Sequence, residues 1–468
     1  MLVPLAEATA DQHGGKAAGL AALIRAGLPI PAGVVVPADA LLNAPTDAVV
    51  DRAVVPRGAV ADELGEWLER MGDPLVAVRS SAANEDTAHT SAAGQHDSFL
   101  GVRGLAAVLD AIQACRASVW SPRAVAYRNG SEAPPMAVIV QLQLDSDVSG
   151  VMFTTDGTTT IEASWGLGPS VVEGRVTPDR YEVADGRVTR TIADKQTTLT
   201  LTGTHQVPTT RRGIPTLSDA TAVHLAILAH QAATALGTPQ DLEWAIAANT
   251  PWLLQSRPIT AQPPPTPTSP PTPATRTPAP PTGTPGTLTV TVTAGTGTAG
   301  TGTGTAGTGT AGTGTGTAGT GTGSAGTGSA GTGSAGTGGA GTGSAGTGTA
   351  GTLTGIPGTL TGIPGTLTGT PGSHGTAAGP ARVVRGAADF PQVRAGDILV
   401  CPFTDPAWTP LLSIAAGVIT EQGGVLSHAA IIARERGIPA VLAVPDATTQ
   451  IPDDTPLTIN GTTGTIHL

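Results

Sequence analysis

Between residues 262 and 375 the chain gives up nearly every side chain from which a core is built, and this break decides how the remainder can fold. Residues 262 to about 285 are rich in proline and threonine. Threonine, glycine and alanine then dominate to about residue 350, with a five-residue repeat around SAGTG. Three seven-residue units, GTLTGIP, GTLTGIP and GTLTGTP, close the block at Pro371. With few large apolar side chains and almost no charges, burial cannot offset the entropy of ordering the backbone. The proline-rich part is expected to be extended and the block as a whole a disordered linker. The regular periods leave one alternative, a thin threonine-faced β-solenoid made by stacking repeats. Neither period is the glycine-every-third pattern of collagen. Much of the excess of glycine (64) and proline (40) lies in this block, so the folded part is smaller than 468 residues suggests.

Two pieces are therefore expected to fold, residues 1–261 and 376–468, both mixed α/β. In the first, helical and strand signals alternate. Ala17–Ala26 reads as a helix, Val34–Val36 and Leu75–Val78 as strands, and Leu105, Val108, Leu109, Ile112 and Val119 keep helical spacing. Ala137–Leu142 and Gly150–Thr154 read as strands joined by a polar turn, Ala220–Leu236 as a long helix and Leu253–Gln255 as a late strand. About 260 residues can bury a substantial core. In the second piece, Ala381–Val384, Asp397–Val400, Val418–Thr420 and Ala440–Val444 all read as strands.

The net charge of −11, without a lysine or arginine cluster, argues against nucleic acid or an anionic membrane as a partner. No apolar run approaches the roughly 20 residues that span a bilayer, and the N-terminus lacks a secretory pattern. A cytoplasmic location is the expectation. The two cysteines, Cys115 and Cys401, lie far apart, and Cys115 falls on a helical pattern, which favours a buried thiol. Only two lysines occur, Lys16 and Lys195.

Chemistry is concentrated in Gly423–Leu442, GGVLSHAAIIARERGIPAVL. A strand at Gly417–Thr420 runs into the turn Glu421-Gln422-Gly423-Gly424. Ser427-His428 then opens a helix that stops at Gly437, with Pro439 beyond. His428 would sit on the first helical turn, exposed by a flexible loop. Free N–H groups and the positive end of the helix dipole there favour a phosphoryl group carried on the imidazole, and a histidine nitrogen is a competent nucleophile. A histidine at that position is also an ordinary cap or surface residue.

A phosphoryl donor site has three candidate pieces, and none is a P-loop, since GxxxxGK[ST] is absent. Gly14-Gly15-Lys16 precedes a helix and would hold an ammonium near its anion site. Arg79 ends a strand in Val78-Arg79-Ser80-Ser81 and faces a polar loop containing Gly94; it could grip phosphate oxygens bidentately or form a surface ion pair with Glu85 or Asp86. Glu243, Gln255 and Arg257 could share a face of two adjacent strands, supplying hard ligands for Mg²⁺ and a phosphate counter-charge. The same spacing also fits exposed polarity at a strand edge.

GGVLSHAAIIARERGIPAVL resembles the phosphohistidine signature of the swivelling domain shared by phosphoenolpyruvate synthases, pyruvate phosphate dikinases and rifampin phosphotransferases. HGGKAAGLAALIRAGLPIPAG, VAVRSSAANEDTAHTSAAGQHDSFLGV, EASWGLGPSVVEGRVTPDRY and DLEWAIAANTPWLLQSRPIT, with SVWSPRAVAYR, MAVIVQ and SGVMFT between them, resemble successive blocks of that family's ATP-grasp nucleotide domain. They keep the family's order over nearly all of residues 10–260. The resemblance implies that ATP phosphorylates His428, with AMP and phosphate released, and that His428 passes the phosphoryl group to an acceptor such as pyruvate or an antibiotic hydroxyl. It further implies that Lys16 and Arg79 contact ATP phosphates beside Gly94 and Ser98 of a lid loop. Gln141 would face adenine, Glu243 and Gln255 would hold Mg²⁺, and Arg257 would bind phosphate.

Two departures from the family stand out. TDGTTT, between Thr154 and Ile161, is shorter than the usual loop. No segment of these 468 residues resembles the family's pyruvate-binding barrel or antibiotic-binding domain, and the Thr/Gly block is not expected to form such a pocket. The acceptor site is thus expected to be absent or to belong to a separate subunit, which leaves open a phosphocarrier delivering to another polypeptide, or an inactive remnant. A flexible linker of about 110 residues would span roughly 50–60 Å, and would bring the histidine module to the ATP site at an effective concentration no higher than about millimolar.

Overall fold

The structure is a computed structural model that describes residues 1–41, 59–82, 96–121, 124–125, 132–155, 157–259 and 365–468, together with the backbone of four short strands in between. Two units separate, residues 1–266 with 366–468, and residues 267–365.

Five antiparallel strands open the first unit: β1 (Val3–Pro4), β2 (Gly33–Val36), β3 (Val76–Ala82), β4 (Ser98–Val102) and β5 (Met136–Leu142), in the order β1-β2-β5-β3-β4. The central strand MAVIVQL is apolar on both faces because both are covered. Val138 and Val140 pack with Leu64 of α2 (Ala59–Arg70) and Ile112 and Cys115 of α3 (Leu105–Ala117). Ala137 and Ile139 meet Ala17 and Leu20 of α1 (Ala10–Arg25). Alternate residues of a strand point to opposite faces, so one strand serves two cores.

A second antiparallel sheet comprises β6 (Val148–Thr155), β7 (Thr158–Trp165), β8 (Asp179–Ala184), β9 (Arg187–Thr191), β12 (Gln240–Ala247) and β13 (Thr250–Pro258), ordered β13-β12-β6-β7-β8-β9. A hairpin, β10 (Thr197–Thr200) with β11 (Gly203–Gln206), lies between them in sequence. α4 (Asp219–Leu236) starts at Ser218, whose side chain accepts from Thr221 N, and stops at Gly237 in the left-handed region. Its Ala222, Leu225, Ala226, Ala229 and Ala232 form one helical stripe packed on Met152, Ile161, Tyr181 and Trp244 of the sheet. The strands expected at Ala137–Leu142 and Gly150–Thr154 are both present, but in different sheets. The shortened TDGTTT segment closes β6 onto β7 with Thr155 opposite Thr158.

Asp179, at the start of β8, shows how a charge is kept inside this sheet. It accepts from Lys195 Nζ at 2.5 Å, Ala193 N at 2.9 Å, Thr216 N at 2.8 Å and Thr216 Oγ1 at 2.9 Å. Both charged side chains are fully buried. Removing one partner would strand the other, so Lys195→Met is expected to lower unfolding free energy by about 3–5 kcal/mol. Urea denaturation checks this, and an unchanged midpoint would contradict it.

After residue 365 an eight-stranded sheet forms: β18 (Thr366–Thr368), β19 (Thr370–Ser373), β20 (Thr376–Val383), β21 (Ile398–Cys401), β22 (Gly417–Thr420), β23 (Ala440–Leu442), β24 (Pro456–Asn460) and β25 (Thr465–His467), in the order β18-β25-β24-β20-β21-β22-β23-β19. β20 to β23 pair in parallel, and α5 (His428–Arg436) connects β22 to β23. Val418, Ile432 and Trp408 build the core under α5, while Ile419, Ile459 and Ile466 build the other.

This module begins earlier than residue 376. The last seven-residue unit, GTLTGTP, supplies β18 and the first half of β19. Leu367 packs into the second core, and a Cβ on Gly369 or Gly372 would lie 2.4 Å from Leu442 O or 2.7 Å from Leu442 Cγ. Glycine is required there by close approach to β23, not by flexibility.

In the other unit the described residues form two antiparallel pairs, β14 (Leu288–Thr293) with β15 (Ala299–Gly304) and β16 (Thr342–Ala345) with β17 (Thr349–Thr352). The disordered and solenoid readings otherwise fall outside the described residues. Among the described residues no helix is long and apolar enough to cross a membrane.

Candidate active site

α1 is kinked at Gly14 (φ +81°), where a Cβ would stand 2.3 Å from Ser81 O. The kink lets the helix settle on β3. Ala17 N donates to Ser81 Oγ at 3.0 Å and Lys16 Nζ to Ser80 Oγ at 3.3 Å. Arg79, on the same strand and opposite Ser98 of β4, crosses to the second sheet. Its Nη1 donates to Leu254 O at 3.4 Å and lies 3.7 Å from Glu243 Oε2. The alternative partners Glu85 and Asp86, and the lid residue Gly94, lie outside the described residues.

β12 and β13 are paired so that Glu243 faces Gln255 and Asp241 faces Arg257. Arg257 Nε donates to Asp241 Oδ2, and both side chains are buried. Burial pushes the Asp241 carboxyl up and the adjacent guanidinium pulls it back. Glu243 and Gln255, side by side, offer hard oxygen donors, and Arg257 lines the same cavity. That donor set suits Mg²⁺, which takes one or two protein oxygens and fills its shell from substrate phosphates and water.

His428 is the first residue of α5, after the N-cap Ser427. The loop following β21 supplies two hydroxyls: Thr404 Oγ1 lies 3.0 Å from Nδ1 and Thr409 Oγ1 lies 3.3 Å from Nε2. The expected exposed position is not what forms. His428 is 4% exposed, and burial first, then the positive charge of Arg257, pushes its pKa down to about 3. The imidazole is therefore neutral, with a lone pair available.

One cavity of about 430 Å³ joins these pieces: Lys16, Arg79, Ser98, Gln141, Glu243, Gln255 and Arg257 from the first piece of chain, and Asp405, His428 and Ile431 from the second all line it. Gln141 is buried at its wall, with Nε2 donating to Pro31 O at 3.1 Å. A nucleotide-sized space bordered by arginines, a lysine, carboxylates and a neutral imidazole can bind a polyphosphate and accept a phosphoryl group.

With that geometry in view, comparison with known proteins is decisive. Residues 48–276 match the pyruvate phosphate dikinase AMP/ATP-binding domain, and residues 393–464 match the PEP-utilising enzyme mobile domain. The chain pairs a pyruvate phosphate dikinase AMP/ATP-binding domain with a PEP-utilising mobile domain. It is 28% identical over 505 residues to a probable phosphoenolpyruvate synthase of Methanothermobacter thermautotrophicus, covering 97% of this chain and 61% of that one. A rifampicin phosphotransferase of Streptomyces sviceus is 40% identical over 230 residues, covering 45% of this chain and 26% of the relative. The prodigiosin synthesizing transferase PigC of Serratia marcescens is 37% identical over 293 residues, covering 55% and 33%. The chain thus spans less than two thirds of the length of these curated relatives. Lys16 precedes the segment matched to the dikinase nucleotide domain and joins the cavity through the fold.

Several residues in and around the site were not singled out from sequence. Asp241 could have been, since it lies two residues before Glu243 and shares its strand face. Thr404 and Thr409 carried no signal, because only the packing of their loop against α5 brings them to the imidazole. Glu173 and Arg175 also line the cavity, and burial pushes the Glu173 carboxyl up against the opposing pull of Arg175.

Proposed function

We propose that this chain is an ATP-dependent phosphotransferase that charges His428 from ATP and discharges it onto an acceptor. What supports the reading above all is the single cavity that gathers Lys16, Arg79, Glu243, Gln255 and Arg257 together with His428. Lys16, Arg79 and Arg257 bind and neutralise the triphosphate, Gln141 borders the adenine side, and Ser98, expected in a lid loop, stands instead at the start of β4 opposite Arg79. Glu243 and Gln255 would hold Mg²⁺, which would supply neutralisation of phosphate charge.

Thr404 Oγ1 accepts a hydrogen bond from Nδ1–H, which leaves Nε2 as the nucleophile once it exchanges its longer contact with Thr409 for the nucleotide. Attack on the β-phosphorus breaks the bond to the α-phosphate oxygen and AMP leaves. The terminal phosphoryl then passes to water as phosphate, and His428 keeps one phosphoryl group. The flanking cations stabilise the charge that develops, without having to move at the moment of reaction. The acceptor is a small molecule of the pyruvate or antibiotic-hydroxyl type. Charged protein prepared with β-labelled ATP and Mg²⁺ and then mixed with pyruvate, with rifampin or with buffer should lose label to one acceptor only. Label that neither compound removes contradicts both assignments.

The depressed pKa of His428 predicts the acid side of the rate profile. An ordinary imidazole takes a proton near 6.5, and that of His428 inside the cavity only near 3. Between those values protons bind the open form and oppose seating. The contribution of the neutral ring is complete above 6.5 and is lost as pH falls toward 3. Single-turnover charging is expected to slow by about tenfold per unit below pH 6.5. A rate that stays flat from pH 7.5 to 5 would contradict this.

A further inference from the structure

β7 carries one carboxylate in an otherwise uncharged strand, Glu162, 2% exposed. Its oxygens reach out of the six-stranded sheet to the turn before His428. Oε1 accepts from Val425 N at 2.7 Å and Oε2 from Leu426 N at 3.0 Å. Burial pushes this carboxyl up, while Arg180, the two N–H groups and Arg434 pull it back.

The surrounding surfaces are shaped to this contact. A Cβ on Gly424 would lie 2.3 Å from both carboxylate oxygens, so only glycine lets the group this close. Gly174 brings the backbone after β7 equally near: a Cβ there would stand 3.2 Å from Ser427 Cβ and 3.5 Å from Gly423 Cα. Val425, Leu426 and Ile431 bury themselves against Val151, Phe153, Val171 and Val176 in one apolar cluster. Arg434 Nη1 donates to Val425 O at 2.8 Å, holding the turn from the α5 side.

From this contact we infer that Glu162 is the latch that seats the histidine module against the nucleotide cavity, an assignment that rests on the charging reaction proposed above. It is a positioning residue. It grips the backbone directly before Ser427-His428, so the imidazole can occupy the cavity only while both bonds are made, and travel to an acceptor must break the two together. Backbone N–H groups are present whatever the phosphorylation state of His428, so the latch serves charging and lets go without chemistry of its own.

Glu162→Gln keeps the shape but turns an amide donor toward one of the two N–H donors. Gly424→Ala attacks the same contact from the other side and leaves the nucleotide domain untouched, which covers the case of an unfolded Glu162 variant. In the full-length protein each is expected to slow single-turnover labelling of His428 from β-labelled ATP at least tenfold, with ATP affinity within twofold of wild type. Hydrogen exchange at the Val425 and Leu426 amides should rise, while the rest of both sheets stays protected. Wild-type labelling rates in either folded variant, or unchanged exchange at those two amides, overturn the latch. Should the wild-type chain take no label, the charging reaction fails, and the exchange comparison still decides whether Glu162 seats the module.

Discussion

His428→Ala is expected to abolish acid-labile labelling from β-labelled ATP and to lower AMP production by at least about a thousandfold, since no neighbouring group can replace a covalent nucleophile. The expectation follows from the place of the imidazole. It is neutral, buried, held by Thr404 and Thr409 and open to the cavity shared with Arg257. Nucleotide binding should survive, because Lys16, Arg79 and Arg257 all come from the other module. Equal ATP affinity with no turnover is the signature. AMP release at the wild-type rate would mean that phosphoryl transfer goes to water or to another residue, and that the carrier role is wrong.

Arg257→Ala is expected to have two separable effects. It removes a cation from beside the phosphates, which costs about a hundred- to a thousandfold in charging rate. It also strands Asp241, 4% exposed and bonded to Arg257 Nε, which costs about 3–5 kcal/mol of stability. Adding Asp241→Asn to Arg257→Ala should recover much of the stability and none of the rate. Arg257→Lys should not restore charging, because an ammonium cannot hold Asp241 and a phosphate in the planar fork geometry of a guanidinium. Denaturation midpoints and single-turnover rates, measured on the same three proteins, separate these effects. Recovery of rate along with stability in the double variant would place Arg257 among purely structural residues.

The pattern of residues carried the elements and the candidate site further than it carried the contacts. β5 was legible because a short apolar run bounded by turns is what a doubly covered strand requires, and α4 because its alanines and leucines keep one stripe. The pairing of Glu243 with Gln255 followed from alternation along two strands. β7 was not legible: TTTIEASW has too few large apolar residues, and its charge looks like a surface signal until the partner turn is in place. The role of Glu162 depends on backbone N–H groups, which are the same in every sequence. The burial of His428 likewise depends on a second module arriving, and so does the lowering of its pKa by Arg257. The start of the C-terminal sheet at Thr366 was hidden for another reason. A repeat unit that reads as linker becomes β18 and β19 when its glycines meet β23.

The central claim is that ATP charges one imidazole in the shared cavity. Reacting the wild-type chain with β-labelled ATP and Mg²⁺, digesting at alkaline pH and mapping the label by mass spectrometry tests it most directly. The account predicts one acid-labile phosphoryl group per chain, on the peptide containing His428. Label on any other residue, or none at all, contradicts it.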